Sequence, residues 1–257
     1  MRVATWNVNS IRTRQQIVAD WLQQHQVDVL CLQETKVRDP DFPRSPFADL
    51  GYNIYISGQK SYNGVAIFSL NPLAEVSYGF SAVIGETTLD QQKRVISGIA
   101  NGVRIVNLYV PNGSAIGSDK YQYKLDWLQM LRRYLEVLQT EGEICVCGDF
   151  NIALEDKDIY TNQARDRHIM SSPTEREALN RVLELGFQDA FRKFNLEPGH
   201  YSWWDYRAGG FARNRGWRID HHYLTQKLYQ QAVNCWIDVE PRKLEQPSDH
   251  APVIVEF

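Results

Sequence analysis

The chain predicts an α/β protein built as two packed β-sheets with helices outside, in one domain. Three observations predict it. Its 257 residues are 43% hydrophobic and 23% charged, the balance of a globular chain with a sizeable core. Many segments alternate or run apolar at strand length, and only a few carry a helical period. No long repeat, low-complexity tract or flexible linker interrupts them. No apolar run approaches the roughly 20 residues a membrane-spanning helix needs, and the opening MRVATWNVNS reads as a strand with no signal segment. No membrane partner is expected.

Arg2–Val8 alternates and predicts a strand. Residues Thr13 to Gln26 predict a helix with Ile17, Trp21 and Leu22 on one face, and Val27–Gln33 is an apolar run that predicts a buried strand. Strands are expected over Tyr52–Ser57 and Val65–Ser69, around the turn containing Asn63-Gly64. Val95–Ala100 and Val103–Tyr109 flank Asn101-Gly102, a pair that tolerates positive φ and so predicts a hairpin. Lys120–Gln139 predicts the longest helix, with Leu125, Leu128, Leu131, Leu135 and Leu138 at its period; Ile144–Gly148 predicts a buried strand. Ser172-Pro173-Thr174-Glu175 is a capping box, so a helix is expected from Pro173 to about Leu185, stopping at Gly186. Later strands are expected over Ile219–Leu224, near Gln231–Asp238, and over Val253–Phe257.

The four cysteines, Cys31, Cys145, Cys147 and Cys235, lack the CxxC or Cys/His spacings of a zinc site. Buried free thiols in a reducing, cytoplasmic setting are expected. The net charge of −3 indicates no strongly basic protein, yet residues 201–218 hold Arg207, Arg213, Arg215 and Arg218 against the single acid Asp205, with six aromatics. One basic, aromatic stretch on a balanced chain suits a polyanion bound on one face.

Polar residues fall at strand ends, where a rigid scaffold presents chemistry. Asn7 and Asn9 end the first strand, Glu34 the second, Tyr109 another and Asp149 with Asn151 a further one; Asp220 sits in WRIDHH and Asp249-His250 precede the last strand. Any one of them alone is a common turn or capping residue. The set together supports metal-assisted hydrolysis. Carboxylates and amides are hard oxygen ligands for magnesium or manganese. A metal on Glu34 could stabilise a leaving alkoxide, Asp149 with Asn151 could orient or deprotonate a water, and Asp220 could hold His250 in one tautomer and favour its cation. Tyr109 could donate to developing charge or approach it as phenolate.

The motifs WNVNS, LQETK, NGVAIFS, YVPNG, GDFNI, SWWDYR, GWRID and PSDHAP occur in the order found in the exodeoxyribonuclease III family of DNA-repair nucleases, which the chain resembles over essentially its whole length. The resemblance implies a four-layer α/β (α+β) sandwich, two packed mixed β-sheets flanked by helices, with the site at one end. It implies Mg²⁺-dependent hydrolysis (Mn²⁺ as the alternative) of double-stranded DNA at abasic sites, at blocked 3′ ends, or as a 3′→5′ exonuclease, by a cytoplasmic, nucleoid-associated enzyme. Carried over, Glu34 is the principal metal ligand with Asn7 beside it and Asp249 in reach. Asp149 aligns or activates water, helped by Asn151. His250, oriented by Asp220, stabilises phosphate; Tyr109 is catalytic and Asn112 contacts phosphate. Trp203, Trp217 and Ile219 form the apolar pocket for a flipped-out, base-less sugar.

Adjacent strand residues face opposite ways, so of Trp203 and Trp204 one is expected in the core and one at the site. Arg207, Arg213 and Arg215, in the loop RAGGFARNRG, either contact DNA or sit on a solvated surface. Asparagine at position 9, where some relatives have aspartate, favours one tight ion. His221 and His222 are expected in the core or behind the site. His168, in a basic loop with Arg165 and Arg167, either narrows what enters the pocket, favouring 3′ ends, or is an exposed loop residue. Other superfamily enzymes, such as inositol-lipid phosphatases or sphingomyelinases, should lack the aromatic-arginine segment. A binding module without catalysis should lack a catalytic residue, and none is missing. No heptad seam is present, so a monomer is expected.

Overall fold

The structure, a computed structural model, describes residues 1–161 and 165–257. Its described residues form two six-stranded sheets. The first contains β1 (Arg2–Asn7), β2 (Val29–Gln33), β3 (Asn53–Ser57), β4 (Val65–Ser69), β11 (Asn234–Ile237) and β12 (Val253–Glu256), in the order β11-β12-β1-β2-β4-β3. The second contains β5 (Ala74–Tyr78), β6 (Val95–Ala100), β7 (Val103–Tyr109), β8 (Ile144–Asp149), β9 (Gln188–Asp189) and β10 (Asp220–Leu224), in the order β5-β6-β7-β8-β10-β9. Each sheet is mixed. β1–β2 and β7–β8 pair in parallel, and the neighbours outside them are antiparallel.

A parallel pair needs a crossover, and a helix supplies each one: Ile11–His25 between β1 and β2, Asp119–Leu138 between β7 and β8. The strands are sandwiched on both faces, which is why their sequences run apolar rather than alternating. Val3, Cys31, Ile67, Ile105, Cys145 and Val253 face the core between the sheets. Ala4, Leu30 and Phe68 instead meet Val18, Trp21 and Leu22 of the first crossover helix. Val106 and Val146 meet Leu128, Leu131 and Leu135 of the second, with Leu179 and Val182 of the Pro173–Leu183 helix. This is the four-layer arrangement.

The hairpin forms as expected, with φ of 49° at Asn101 and 80° at Gly102. The capping box forms in both directions between Ser172 and Glu175. Both expected faces are buried save for one position each: Ile17 and Leu125 are only half-buried, and their neighbours Val18 and Lys124 are buried. β5 lies outside the expected strands because its half-exposed sequence AEVSY covers a sheet edge and carries little apolar pattern. All four cysteines are free and buried. The fold nonetheless gathers Cys145, Cys147 and His222, from neighbouring strands, with ligand atoms within 4.8 Å of one another. His222 Nε2 donates to the Val253 carbonyl at 3.0 Å, which leaves Nδ1 as the acceptor facing Cys145 Sγ at 3.7 Å. Burial pushes both thiols well above their ordinary range, so they stay protonated in a hydrogen-bonded part of the core.

The registers place the chemistry. Asn7 pairs with Gln33, Tyr109 with Asp149, and Asp149 with Asp220. The carboxyl ends of both parallel pairs therefore open on the same edge of the sandwich as the start of β10. Gly148 makes the last step of β8 possible. Its φ is 145°, and an added Cβ would lie 2.0 Å from the Leu108 carbonyl oxygen on β7. Gly148→Ala is expected to destabilise the fold by about 3 kcal/mol or more and to displace Asp149. Urea unfolding of the purified variant, compared with wild type, checks this.

Candidate active site

Three carboxylates meet at the shared edge. Asn7, buried at the end of β1, bridges two of them: its Nδ2 donates to Glu34 Oε1 and to Asp149 Oδ2, each at 2.9 Å. The Asn7 oxygen accepts from the Asn9 amide at 3.0 Å. Glu34, immediately after β2, and Asn151, two residues past β8, both adopt positive φ, 51° and 50°. Such strain persists where surrounding contacts over-determine it. At Asn151 those contacts are clear. Its N–H donates to Asp149 Oδ1 at 2.9 Å, its Nδ2 to the Val110 carbonyl at 3.0 Å, and its Oδ1 accepts from Asn112 Nδ2 at 3.0 Å.

His250 stands between the other carboxylates. Its Nδ1 lies 2.9 and 3.1 Å from the Asp220 oxygens, and its Nε2 lies 3.8 Å from Asp149 Oδ2. Asp220 is itself held by Ser202 Oγ at 2.6 Å. Burial alone would strip the histidine of its proton, but Asp220 and then Asp149 reverse this and raise its pKa to about 10. Asp149 is raised to about 7, first by burial and then, against the pull of His250, by Asp220. Burial also disfavours the charged form of Glu34, yet Lys36, the Asn7 amide and His250 together hold its carboxyl below the usual range. Lys36 Nζ sits 2.8 Å from Glu34 Oε2. Half-buried Tyr109 is pushed well above the ordinary phenol range by burial, then by Glu34 and Asp149, so at neutral pH it is a proton donor and not a phenolate. Arg94 stacks on its ring, 4.6 Å from guanidinium carbon to centroid.

Asp249 touches the neighbouring cavity only through Trp203. Its Oδ1 accepts from Asn9 Nδ2 and its Oδ2 from Trp203 Nε1, both at 3.0 Å. That cavity, of about 350 Å³, is lined by Trp203, Trp217, Met170, His168, Arg207 and Arg215 among others. Trp203 is half-buried beside it, whereas Trp204 is buried among Tyr201 and Ala251. Ile219 is buried beneath Trp217 and Met170 and does not line the opening. His168 is exposed at the rim, with its ring edge-on to Trp217 at 6.0 Å. Arg207, Arg213 and Arg215 are exposed, and none has an ion-pair partner among the described residues. Arg213 lies outside the cavity lining. The Arg165 side chain lies outside the described residues. Arg218, the fourth arginine of the basic stretch, turns inward and is buried against Asp158 and Asp189, so it adds nothing to a basic face. His221 is buried next to it, accepting from Arg218 on Nδ1 and donating from Nε2 to the Ile152 carbonyl.

With this geometry in hand, the likeness to known proteins is informative. A model of the Endonuclease/Exonuclease/phosphatase family matches residues 4–250. The chain belongs to that family. Exodeoxyribonuclease III of Haemophilus influenzae is 34% identical over 270 residues, covering the whole of both chains. An AP endonuclease from Archaeoglobus fulgidus superposes with a TM-score of 0.95 at 39% identity, covering 100% of this chain and 99% of that one. A 3′ phosphatase from Neisseria, NExo, solved with a product DNA hairpin, also has a TM-score of 0.95, at 38% identity and the same coverage. Within the family the chain is a metal-dependent hydrolase of the exodeoxyribonuclease III type.

The donor chemistry fits a hard divalent cation. The edge offers carboxylate oxygens from Glu34 and Asp149 with amide neighbours, and no thiol. At this edge the possible ligand atoms of Asp149, Asp220 and His250 lie within 4.8 Å of one another, but there the imidazolium already serves as counter-ion. Four supporting residues escape a reading of the sequence: Lys36, Ser202, Arg94 and Lys124. Lys36 stands in the LQETK motif itself; the other three show their role only through contacts between distant segments.

Asp220→Asn is expected to lower kcat by about 10²–10⁴-fold, because the imidazole loses the anion that orients it and keeps it charged. The alkaline limb of the kcat/KM profile should move to lower pH in that variant. The sign for stability follows from the same shift. His250 contributes fully below its ordinary 6.5, and that contribution fades as pH rises through about 10. Activity and urea unfolding from pH 6 to 10, wild type against variant, measure both.

Proposed function

We propose that the protein is a Mg²⁺-dependent DNA-repair phosphodiesterase acting on double-stranded DNA, as a 3′→5′ exonuclease, a 3′-end processing enzyme and an abasic-site endonuclease. The observation that carries this reading is the Asn7–Glu34–Asp149–His250–Asp220 edge opening beside an aromatic cavity rimmed by unpaired arginines. Glu34 would hold the metal, with Asn7 and Asp249 at its flank. Bound there, the ion supplies charge for a phosphate oxygen and the leaving alkoxide. Asp149, clamped by Asn7 and the Asn151 amide, accepts the proton of an attacking water; its raised pKa suits a base working near neutrality. The His250 imidazolium and the Tyr109 phenol donate to phosphate oxygens, and Asn112 adds a third donor. Trp203 and Trp217 would receive a base-less sugar, with Ile219 packed behind Trp217 as its support. Arg207, Arg213 and Arg215 would track the DNA backbone. This reading takes the protein as a cytoplasmic, nucleoid-associated monomer.

One observation favours weighting the activity toward 3′ ends. His168 stands edge-on to Trp217 in the lining of the cavity, where it would narrow the mouth. A terminal nucleotide can approach from the side of the nick, whereas an internal abasic sugar must swing through that mouth. A duplex with an internal abasic site and a nicked duplex with a 3′-phosphate, each tested with Mg²⁺ and with EDTA, decide between the activities. Removal of the 3′-phosphate by wild type, loss of all activity in EDTA, and a gain of about tenfold in abasic-site cleavage relative to 3′-phosphate removal in His168→Gly are expected. An unchanged ratio in that variant removes His168 from the account of specificity.

A further inference from the structure

The Asp119–Leu138 helix buries a lysine, Lys124, among its apolar residues Leu128, Leu131 and Leu135. Lys124 is fully buried, as is its partner Glu175, with Nζ 2.5 Å from Oε1. The remaining ammonium protons go to two backbone carbonyls of the site: Asn151 at 2.8 Å and Asn112 at 3.2 Å. Glu175 reaches the other way. Its Oε1 accepts from the Met170 amide at 3.0 Å, and its Oε2 from the Ser172 amide and hydroxyl at 3.1 and 2.6 Å. A single ion pair thus joins the loop after β7, the loop after β8 and the segment two residues beyond His168.

A second, independent observation falls on the same segment. Met170 has a φ of 73°, uncommon for a residue with a side chain. Both sides of it are held: its N–H by Glu175 and its carbonyl by the Ala153 amide at 2.7 Å, two residues past Asn151. Ile169 packs against Gly113, where an added Cβ would lie 3.0 Å from Ile169 Cδ1 and 3.3 Å from Lys124 Cδ. A capping box needs only an acceptor on the third helical residue, which glutamine supplies without a buried charge. Buried ion pairs add little net stability over apolar replacements, so they are better explained by the arrangement they specify.

We propose that the Lys124–Glu175 pair is a positioning element that sets where His168 stands relative to Asn112 and Asn151, and thereby the preference between 3′ ends and internal abasic sites. This rests on the reading of His168 given above. Lys124 touches no reacting atom; it acts through the carbonyls it holds.

The test uses the full chain with Lys124→Met, Lys124→Arg and His168→Gly, plus the double variant Lys124→Met/His168→Gly. Steady-state kinetics on the two DNA duplexes are combined with amide hydrogen exchange at Met170. In Lys124→Met the Met170 amide should exchange about tenfold faster or more, and the ratio of abasic-site to 3′-phosphate activity should rise about tenfold. The change should fall on kcat, with KM for the 3′-phosphate duplex held within about twofold. Lys124→Arg, which keeps the charge, should restore most of both. In the His168→Gly background Lys124→Met should alter the ratio no further.

A lower melting temperature with Met170 exchange and the ratio both unchanged overturns the proposal, because a merely structural pair would behave so. An equal change of ratio with and without His168 also overturns it. If His168→Gly shifts the ratio and Lys124→Met does not, the anchor fails and the reading of His168 stands. If Lys124→Met shifts it and His168→Gly does not, the reading of His168 fails and the proposal is overturned with it. Should Lys124→Met not fold, Glu175→Gln carries the comparison of activity ratios, with and without His168, since it removes the charge of the pair while keeping an acceptor for the Met170 amide.

Discussion

Crowded like charge is the constraint on which the rest of this site depends. Glu34, Asp149 and Asp220 converge on one largely water-excluded edge, where unpaired carboxylates repel and are costly to ionise. Two devices make the crowding tolerable. His250 takes a proton and lies between Asp149 and Asp220 as a fixed cation. Asn7 places one neutral amide between Glu34 and Asp149 and donates to both. Burial first, and then the repulsion that remains from Asp220 and Glu34, pushes Asp149 upward, while Lys36 helps keep Glu34 ionised. Two neighbouring carboxylates are thereby driven apart in pKa, the condition for giving them different tasks.

Holding such a cluster needs rigid ends, and the sandwich provides them through its two crossover units. β1–β2 and β7–β8 run parallel in different sheets, and both finish at the same edge. The conformations just past these strands are not comfortable ones. Glu34 and Asn151 sit at positive φ, and Gly148 lies where no side chain fits against Leu108. Hydrogen bonds to Asp149, Val110 and Asn112 hold Asn151 in place. Local strain is offset by packing elsewhere, as is common where a backbone presents chemistry.

Charge on the neighbouring face is arranged by a similar economy of contacts. Arg218 is turned inward, where Asp158 and Asp189 neutralise it, and serves the scaffold. Arg207, Arg213 and Arg215 are left exposed in the same short segment. The balanced total charge of the chain thus coexists with a local cationic rim beside the cavity, suited to a polyanion that lies across one face.

The sequence by itself determined the layers and the site's membership. Apolar runs at strand length, the Asn101-Gly102 turn and the Ser172–Glu175 capping box are local signals, and each produced its element within a residue or two. Asn7, Glu34, Tyr109, Asp149, Asp220 and His250 were legible because a scaffold presents chemistry at strand ends. What periodicity could not decide was partnership between distant segments. Lys124 buried beside half-buried Leu125, Arg218 turned inward while three neighbours face out, and the meeting of Cys145, Cys147 and His222 all depend on which strand lies next to which. The roles of Asn7 as a bridge and of Asp249 as a partner to Asn9 and Trp203 depend on it too. Register converts a list of polar residues into distances of a few ångströms, and pKa values follow from those distances. Tertiary structure alone decided them, because electrostatic interaction and hydrogen bonding act through space and not along the chain.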